Sequence, residues 1–471
     1  MRDDPQGVFP ALILALRARP SLSIALLLGI SLTMRTGLAL ALWKLNGHAG
    51  FLVPDSLGYI EAARALLHGS FSSPAGPEML RTPGYPLILM PAVLSRHLEI
   101  FALLENFLLA SFSVWLVWKL TLRVFKDPNA ALWAAVLFCC EPLQLEGSVL
   151  VMTETIFCAL ILVLVYFLVR FMELPSYQNL LCAALALILA IYTRPVAMFL
   201  AIWLAPLLLF IPHTLSRRRR IVRAIVFPVA VTLALLPWIV RNERVAQYQG
   251  FSTASDNNLY YHDAAAIEAK ILNKTLLQER IDRGYYDDNV YFQSHPGQRL
   301  WAPGEIWKFR GKEALETISR HPGYFVWLQI KGWANVIFNP TTPEVIMNFR
   351  LYPRTSGLLH EKLGKGPLNA GLWFISRFPA LTIIVVVMEL QLLIYYSLTM
   401  LGLRALPGSF RLLFLSAALY FILVSGGPIA ASRYRLPIMP LVCISAGIAM
   451  AKLQDNDWQR TGNRKSSRRL G

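Results

Sequence analysis

The sequence is short of charge. Only 15% of its 471 residues are Asp, Glu, Lys or Arg, against about 25% in soluble globular proteins, which excludes an ordinary water-soluble domain. Acidic residues are the scarcer kind, 28 against 45 Lys and Arg, for a formal net charge of +17. Cysteine is sparse too. Cys139, Cys140, Cys158, Cys182 and Cys443 all lie in apolar runs, with no ligand or pairing spacing. They read as small buried hydrophobes rather than as a disulfide framework or a metal site. No internal repeat and no low-complexity linker is present, and no small-residue cleavage site follows the first apolar run as in a secretory signal.

What is abundant is apolar surface. Hydrophobic residues make up 55% of the chain and mean hydropathy is +0.48. Runs of about 20 apolar residues can each cross a bilayer core about 30 Å thick. The expected fold is an all-α polytopic membrane protein, a bundle of about ten transmembrane helices. The spans fall near 20–43, 100–122, 129–146, 154–172, 178–193, 195–212, 221–240, 378–402, 411–428 and 436–453. The stretch 86–98 is apolar but short, and it reads as an interfacial helix.

Locating the positive charge turns it into topology. Lys and Arg collect in short cytoplasmic loops. With these spans one side holds Arg2, Arg17 and Arg19, then Lys119, Arg123 and Lys126, then Arg217 to Arg220 with Arg223, then Arg404 and Arg411. The C-terminal tail adds Lys452, Arg460, Arg464, Lys465, Arg468 and Arg469. Both termini are therefore expected in the cytoplasm. A basic excess placed this way argues for membrane orientation, not for nucleic acid. The organisation follows: an N-terminal transmembrane module 1–240 with an extracytoplasmic loop 44–99, a large extracytoplasmic loop 241–377, a C-terminal transmembrane module 378–453, and a basic tail 454–471. Within the large loop, 257–283 and 304–320 read as helices and 323–338 as an aromatic, membrane-skimming segment. The tail from Asp455 reads as disordered.

Unpaired charge in hydrocarbon is costly, so chemistry is sought at the outer ends of spans. Asp55 opens a helical stretch in the first loop. It is suited to cap that helix or to take a proton from an acceptor hydroxyl. Glu154 begins the fourth span, where it can favour a helix N-terminus or join a site. Glu141 lies deeper and needs a partner, and Arg35 in the first span is a candidate. Arg81, Arg194, Arg241 with Asn242, and Arg433-Tyr434-Arg435 stand on the same side. Each arginine alone could be a snorkelling anchor. Together they suit a phosphate, because the guanidinium fork stays charged and binds in bidentate fashion.

In their order and placement these strings resemble the polytopic GT-C glycosyltransferases that use polyprenyl-phosphate sugars. The bacterial branch with aminoarabinose lipid A transferases and protein O-mannosyltransferase-like enzymes is the nearest likeness. The strings are Arg35, Asp55 with Tyr59, Arg81-Thr-Pro-Gly-Tyr85-Pro, Glu154, Arg194-Pro195, Pro-Trp-Ile-Val-Arg241-Asn242, the 313–322 segment, and Arg433-Tyr434-Arg435-Leu-Pro. The resemblance implies a hexosyl- or pentosyltransferase of the bacterial inner membrane, acting in lipopolysaccharide or protein glycosylation. Its partners would be a lipid-linked sugar donor, an envelope glycolipid, polysaccharide or protein acceptor, and membrane lipids, without nucleic acid. Asp55 would be the catalytic carboxylate and Glu154 a second acidic site residue. Arg81, Tyr85, Arg194, Arg241, Asn242, Arg433, Tyr434 and Arg435 would handle the donor and its phosphate. Inversion at the sugar carbon is implied as well.

One departure bears on cofactors. Some relatives carry two adjacent acidic residues in the first loop, whereas here Ser56 follows Asp55. No cofactor and no metal ligand set is therefore expected. Two other classes stay open: a flippase for lipid-linked sugars, to which Glu389 inside a span would belong, and a polysaccharide polymerase or ligase.

Overall fold

The computed structural model describes residues 20–467 apart from 75, 96, 211–213, 342–344, 347–348, 350 and 352–366. Arg2, Arg17, Arg19, Arg468 and Arg469, used above for topology, lie outside the described residues. The fold is that of a polytopic helical membrane protein. Among the described residues five helices are long and apolar enough to cross a bilayer: Ser21–Phe51, Leu98–Phe125, Glu154–Glu173, Arg217–Ala246 and Pro379–Leu403. Shorter apolar helices fill the space between them, among them Pro128–Cys139, Tyr177–Thr193 and Gly408–Val424. The only strands among the described residues are a two-residue pair in the first loop, Ser72–Ser73 against Gly76–Pro77.

Proline sets many of the starts. Pro54, Pro128, Pro142, Pro303, Pro322 and Pro379 stand in first turns, where the missing N–H is one the helix could not have used. The bundle interior then packs closely through small residues. Gly447 of the last helix lies on the Ala134 backbone, and Gly402 lies on the carbonyl of Ser445. A Cβ at either glycine would collide, so helices here approach backbone to backbone, as lipid-embedded helices do when side-chain size permits.

Several details differ from the sequence reading. The third span is not continuous, because the helix stops at Cys139 and a second begins at Pro142. Glu141 sits at the break, and its carboxylate accepts the Gln144 N–H at 2.7 Å. It thereby caps the Pro142–Ser148 helix, and the pair with Arg35 does not form. Arg35 is fully buried and donates instead within its own helix, to the Ser31 carbonyl at 3.0 Å and to the Ser31 hydroxyl. The short apolar helix, Gly84–Leu94, packs among Pro54–Leu67, Leu98–Phe125 and Tyr177–Thr193, with Leu89 wholly buried and Leu87 and Leu94 exposed. The expected disordered tail continues as helix, Met439–Ser467, since adding residues to an existing helix avoids the cost of nucleation.

The large loop is a string of helices, Ala254–Asn258, Leu259–Ala264 in π geometry, Ala265–Ile271, Leu276–Asp282, Asp288–Ser294, Pro303–Arg320 and Pro322–Phe338. Its core is aromatic and arginine-rich. The Arg310 guanidinium lies 3.9 Å from the centre of the Tyr291 ring and pairs with Asp288 at 2.8 Å. Arg283 is paired with Glu268 and Glu279.

Asp263, in the π turn, is a weak point of this unit. Burial lifts its carboxyl to about 7, opposed by the hydrogen bond from Gln329. The folded value lies above the ordinary 3.8, so the stability this group adds is complete at pH below about 4 and is lost as pH rises through 7. Melting of the protein in detergent should therefore fall between about pH 4 and pH 7, with a few kcal/mol from this group. Asp263→Asn should flatten that fall. An equally steep profile in the variant would place the titration elsewhere.

Candidate active site

The first loop supplies one wall. The helix Pro54–Leu67 is preceded by Val53, whose N–H donates to the Ser56 hydroxyl at 3.0 Å. Ser56 therefore ties off the helix start, and it is fully buried. Asp55 is one residue inside that helix and does not cap it. Its side chain is 50% exposed and turns to the opposite end of the sequence. The Arg433 Nη1 and Nη2 atoms stand 3.4 Å and 3.5 Å from Asp55 Oδ2.

The second wall is the start of the helix Glu154–Glu173. Glu154 is buried, with its side chain 6% exposed, and Arg194 reaches its Oε1 at 2.8 Å. Arg194 is placed by sequence: the preceding helix ends at Thr193, and Pro195, which follows Arg194, starts a short 3-10 turn, so Arg194 sits extended at the helix end. Arg433 also approaches Glu154 Oε1, at 4.0 Å. The result is an alternating chain, Asp55, Arg433, Glu154, Arg194. Tyr434 stands between the two arginines, with its ring centre 5.3 Å from the Arg433 guanidinium and 5.9 Å from that of Arg194.

Electrostatics match this geometry. For Arg433 desolvation opposes the charge, but Tyr434, Glu154 and Asp55 outweigh it and hold the guanidinium well above its ordinary range. Tyr59, which was quoted above only as part of a string, belongs to the cluster. Burial raises its phenol, Arg194 and Arg81 pull it down, and Glu154 and Asp55 push it up. Tyr59 thus stands within the field of four charged members of the site.

Arg81 approaches from the turn after the first-loop helix. It pairs with Glu78 at 3.4 Å, and its guanidinium lies 5.4 Å from the Tyr59 ring centre. Gly58 permits this, since a Cβ there would occupy the space of the Arg81 guanidinium. Sequence reading attached no role to Gly58, and no local signal marks it.

The remaining residues named from sequence take other positions. Tyr85 is buried, 1% exposed, and packs edge-on to Tyr59 at 5.2 Å. Arg241 donates to the carbonyls of Glu78, at 2.8 Å, and Phe71. Asn242 is fully buried and donates to the carbonyls of Gly250 and Phe251. Arg435 donates to the carbonyls of Val336, Ile337 and Asn339, at 2.6 to 3.1 Å, at the end of the helix Pro322–Phe338. Arg241, Asn242 and Arg435 fasten backbone carbonyls and Tyr85 packs in the core beside Tyr59, whereas Asp55, Tyr59, Arg81, Glu154, Arg194, Arg433 and Tyr434 gather. Among the described residues no group of three or more His, Cys, Asp and Glu side chains is arranged to hold a metal ion.

No curated protein matches the chain. Among solved structures it is similar to ArnT from Cupriavidus metallidurans bound to undecaprenyl phosphate, at 14% identity and a TM-score of 0.41, covering 91% of this chain and 61% of that one. It is similar to the archaeal oligosaccharyltransferase AglB from Archaeoglobus fulgidus, in complex with an inhibitory peptide and a dolichol-phosphate, at 12% identity and a TM-score of 0.44, covering 93% and 52%. Apo ArnT from Cupriavidus metallidurans gives 12% identity, a TM-score of 0.35, and coverage of 88% and 76%. The chain spans about three-fifths of the length of the first of these and about half of the second. Over residues 87–240, the segment that holds Glu154 and Arg194, the chain matches the family described as dolichyl-phosphate-mannose-protein mannosyltransferase.

Proposed function

We propose that this chain is a membrane glycosyltransferase that moves a sugar from a polyprenyl-phosphate donor to a hydroxyl acceptor, with the site on the extracytoplasmic face and both termini in the cytoplasm. The observation that carries this reading is the chain of Asp55, Arg433, Glu154 and Arg194. It sets one half-exposed carboxylate beside two guanidiniums that are themselves held by a buried carboxylate. The family match over residues 87–240 supports it.

The roles follow from geometry. Glu154 is buried between two arginines and fixes them. Asp55 is the accessible carboxylate and the only one of the pair that an acceptor could reach. Arg433 holds Asp55 loosely, with both nitrogens on one oxygen at 3.4 and 3.5 Å. A donor phosphodiester, whose single negative charge is shared by two oxygens that a guanidinium can bind in bidentate fashion, would compete for that guanidinium and free Asp55 as a base. Asp55 then takes the proton of the acceptor hydroxyl while its oxygen bonds to the sugar C1. The C1–O bond to phosphate breaks on the opposite face, and its electron pair stays with the departing polyprenyl phosphate. Arg433, Arg194 and Arg81 stabilise that anion where its charge develops. The sugar carbon is inverted. Transfer runs without a metal ion held by the chain, a reading supported by Ser56, whose hydroxyl is already engaged where some relatives place a second carboxylate.

The test is reconstitution of the full chain in proteoliposomes with a polyprenyl-phosphate sugar and a hydroxyl acceptor. Sugar transfer confined to one face of the membrane is expected. Translocation of the lipid without transfer would overturn the reading in favour of a flippase.

A further inference from the structure

Arg433 reaches Asp55 across 378 positions of sequence, so something must hold it there. The segment before it, Ser425-Gly426-Gly427-Pro428-Ile-Ala-Ala431, has no regular structure beyond a turn. One helix of the large loop, Pro322–Phe338, lies along this segment and binds it at successive points. Gly332 presses on the backbone of Gly426 and Gly427, leaving no room for a Cβ. Gly427 has φ +94°, a left-handed conformation suited to glycine. The Trp333 indole N–H donates to the Leu423 carbonyl at 3.1 Å. The Asn335 amide donates to the Ala430 carbonyl. Gln329 occupies the space a Cβ of Gly426 would need, and its Nε2 donates to Asp263 of the π turn at 3.2 Å. Beyond Arg433, the Arg435 guanidinium clasps the last carbonyls of the same helix, and the Tyr396 hydroxyl donates to one of them, Ile337, at 2.7 Å.

We infer that Gln329, Gly332 and Asn335 are positioning residues for Arg433: they fix the 425–431 turn on the large-loop helix and thereby set the reach of the guanidinium to Asp55 and Glu154. None of the three touches the site. They act through a rigid seam of one helix and one glycine turn, gripped on both sides of Arg433. A displacement of about 1 Å in such a support is enough to cost about 100-fold in a reaction that depends on geometry. This inference rests on the reading of Arg433 as a donor-phosphate ligand.

The test uses the full chain in lipid nanodiscs, with hydrogen exchange of residues 425–434 and binding of undecaprenyl phosphate as the two readouts. Gly332→Ala should speed exchange in that segment and weaken lipid binding about tenfold. Lys331→Ala, an exposed neighbour on the same helix, should change neither. Gly332→Ala combined with Arg433→Gln should bind no more weakly than Arg433→Gln alone, because the glycine acts through the arginine. Additive losses, or unchanged exchange in Gly332→Ala, would overturn the inference. Should Gly332→Ala fail to fold, Gln329→Leu and Asn335→Ala carry the same comparison. Absence of undecaprenyl phosphate binding by the unaltered chain would instead strike the proposed function, and the exchange readout alone would then judge the seam.

Discussion

Asp55→Asn should reduce sugar transfer by about 100-fold to 10,000-fold while leaving the protein as stable as before. The two halves of that expectation have separate causes. The substitution keeps the shape of the side chain and removes its capacity to accept a proton, so the base is lost and little else. The pair with Arg433 is half exposed and loose, and pairs of that kind contribute about 0–1 kcal/mol to stability. Helix capping is unaffected, since Ser56 and not Asp55 ties off the helix start. Transfer rates and melting in detergent, measured on the same preparation, check both halves. Near-normal transfer by Asp55→Asn would remove Asp55 as the base. Lost activity together with lost stability would make it a structural carboxylate.

Glu154→Ala should show the converse. Glu154 is buried between Arg194 at 2.8 Å and Arg433 at 4.0 Å. Removing it leaves two guanidiniums facing one another in a desolvated space. Breaking a buried pair by deleting one partner costs about 3–5 kcal/mol, so the variant should melt well below the parent and accumulate poorly in membranes. The loss belongs to the orphaned charge, and this makes the prediction specific. Adding Arg194→Ala should recover part of it, with a coupling of about 0.5–3 kcal/mol in a double-mutant cycle. If Glu154→Ala melts like the parent, the alternating chain of charges is not what holds this end of the bundle together.

The five long spans were legible because crossing a bilayer sets a minimum length for an apolar run. The break at Cys140-Glu141 is marked by Pro142, which disfavours helix for the residue before it, but the apolar runs on either side mask that signal. At the site, sequence could bring arginines and carboxylates to one membrane face but could not rank them. Arg433 and Arg435 look equivalent in the string Arg-Tyr-Arg. On a 3-10 turn residues two apart point away from each other, so one faces Asp55 and the other a row of carbonyls. Arg241 and Asn242 carry the same ambiguity: a side-chain donor suits backbone carbonyls as well as phosphate. Tyr85 was out of reach of any local argument, because its burial depends on how the helix Gly84–Leu94 packs among its neighbours. Gly58 and Gly332 carry no signal at all until the partner that occupies their missing Cβ is known.

The separation of 378 positions between Asp55 and Arg433 also has a consequence for biogenesis. While the chain is being threaded into the membrane, Asp55, Arg81, Glu154 and Arg194 emerge early, and Arg433 comes only after the large loop and two further apolar helices have been made. Until then Glu154 has a single partner and Asp55 has none. A ribosome-bound chain stalled before Arg433 should be inserted and largely packed, yet inert towards its lipid. The cluster of Asp55, Arg433, Glu154 and Arg194 can therefore close only late in synthesis.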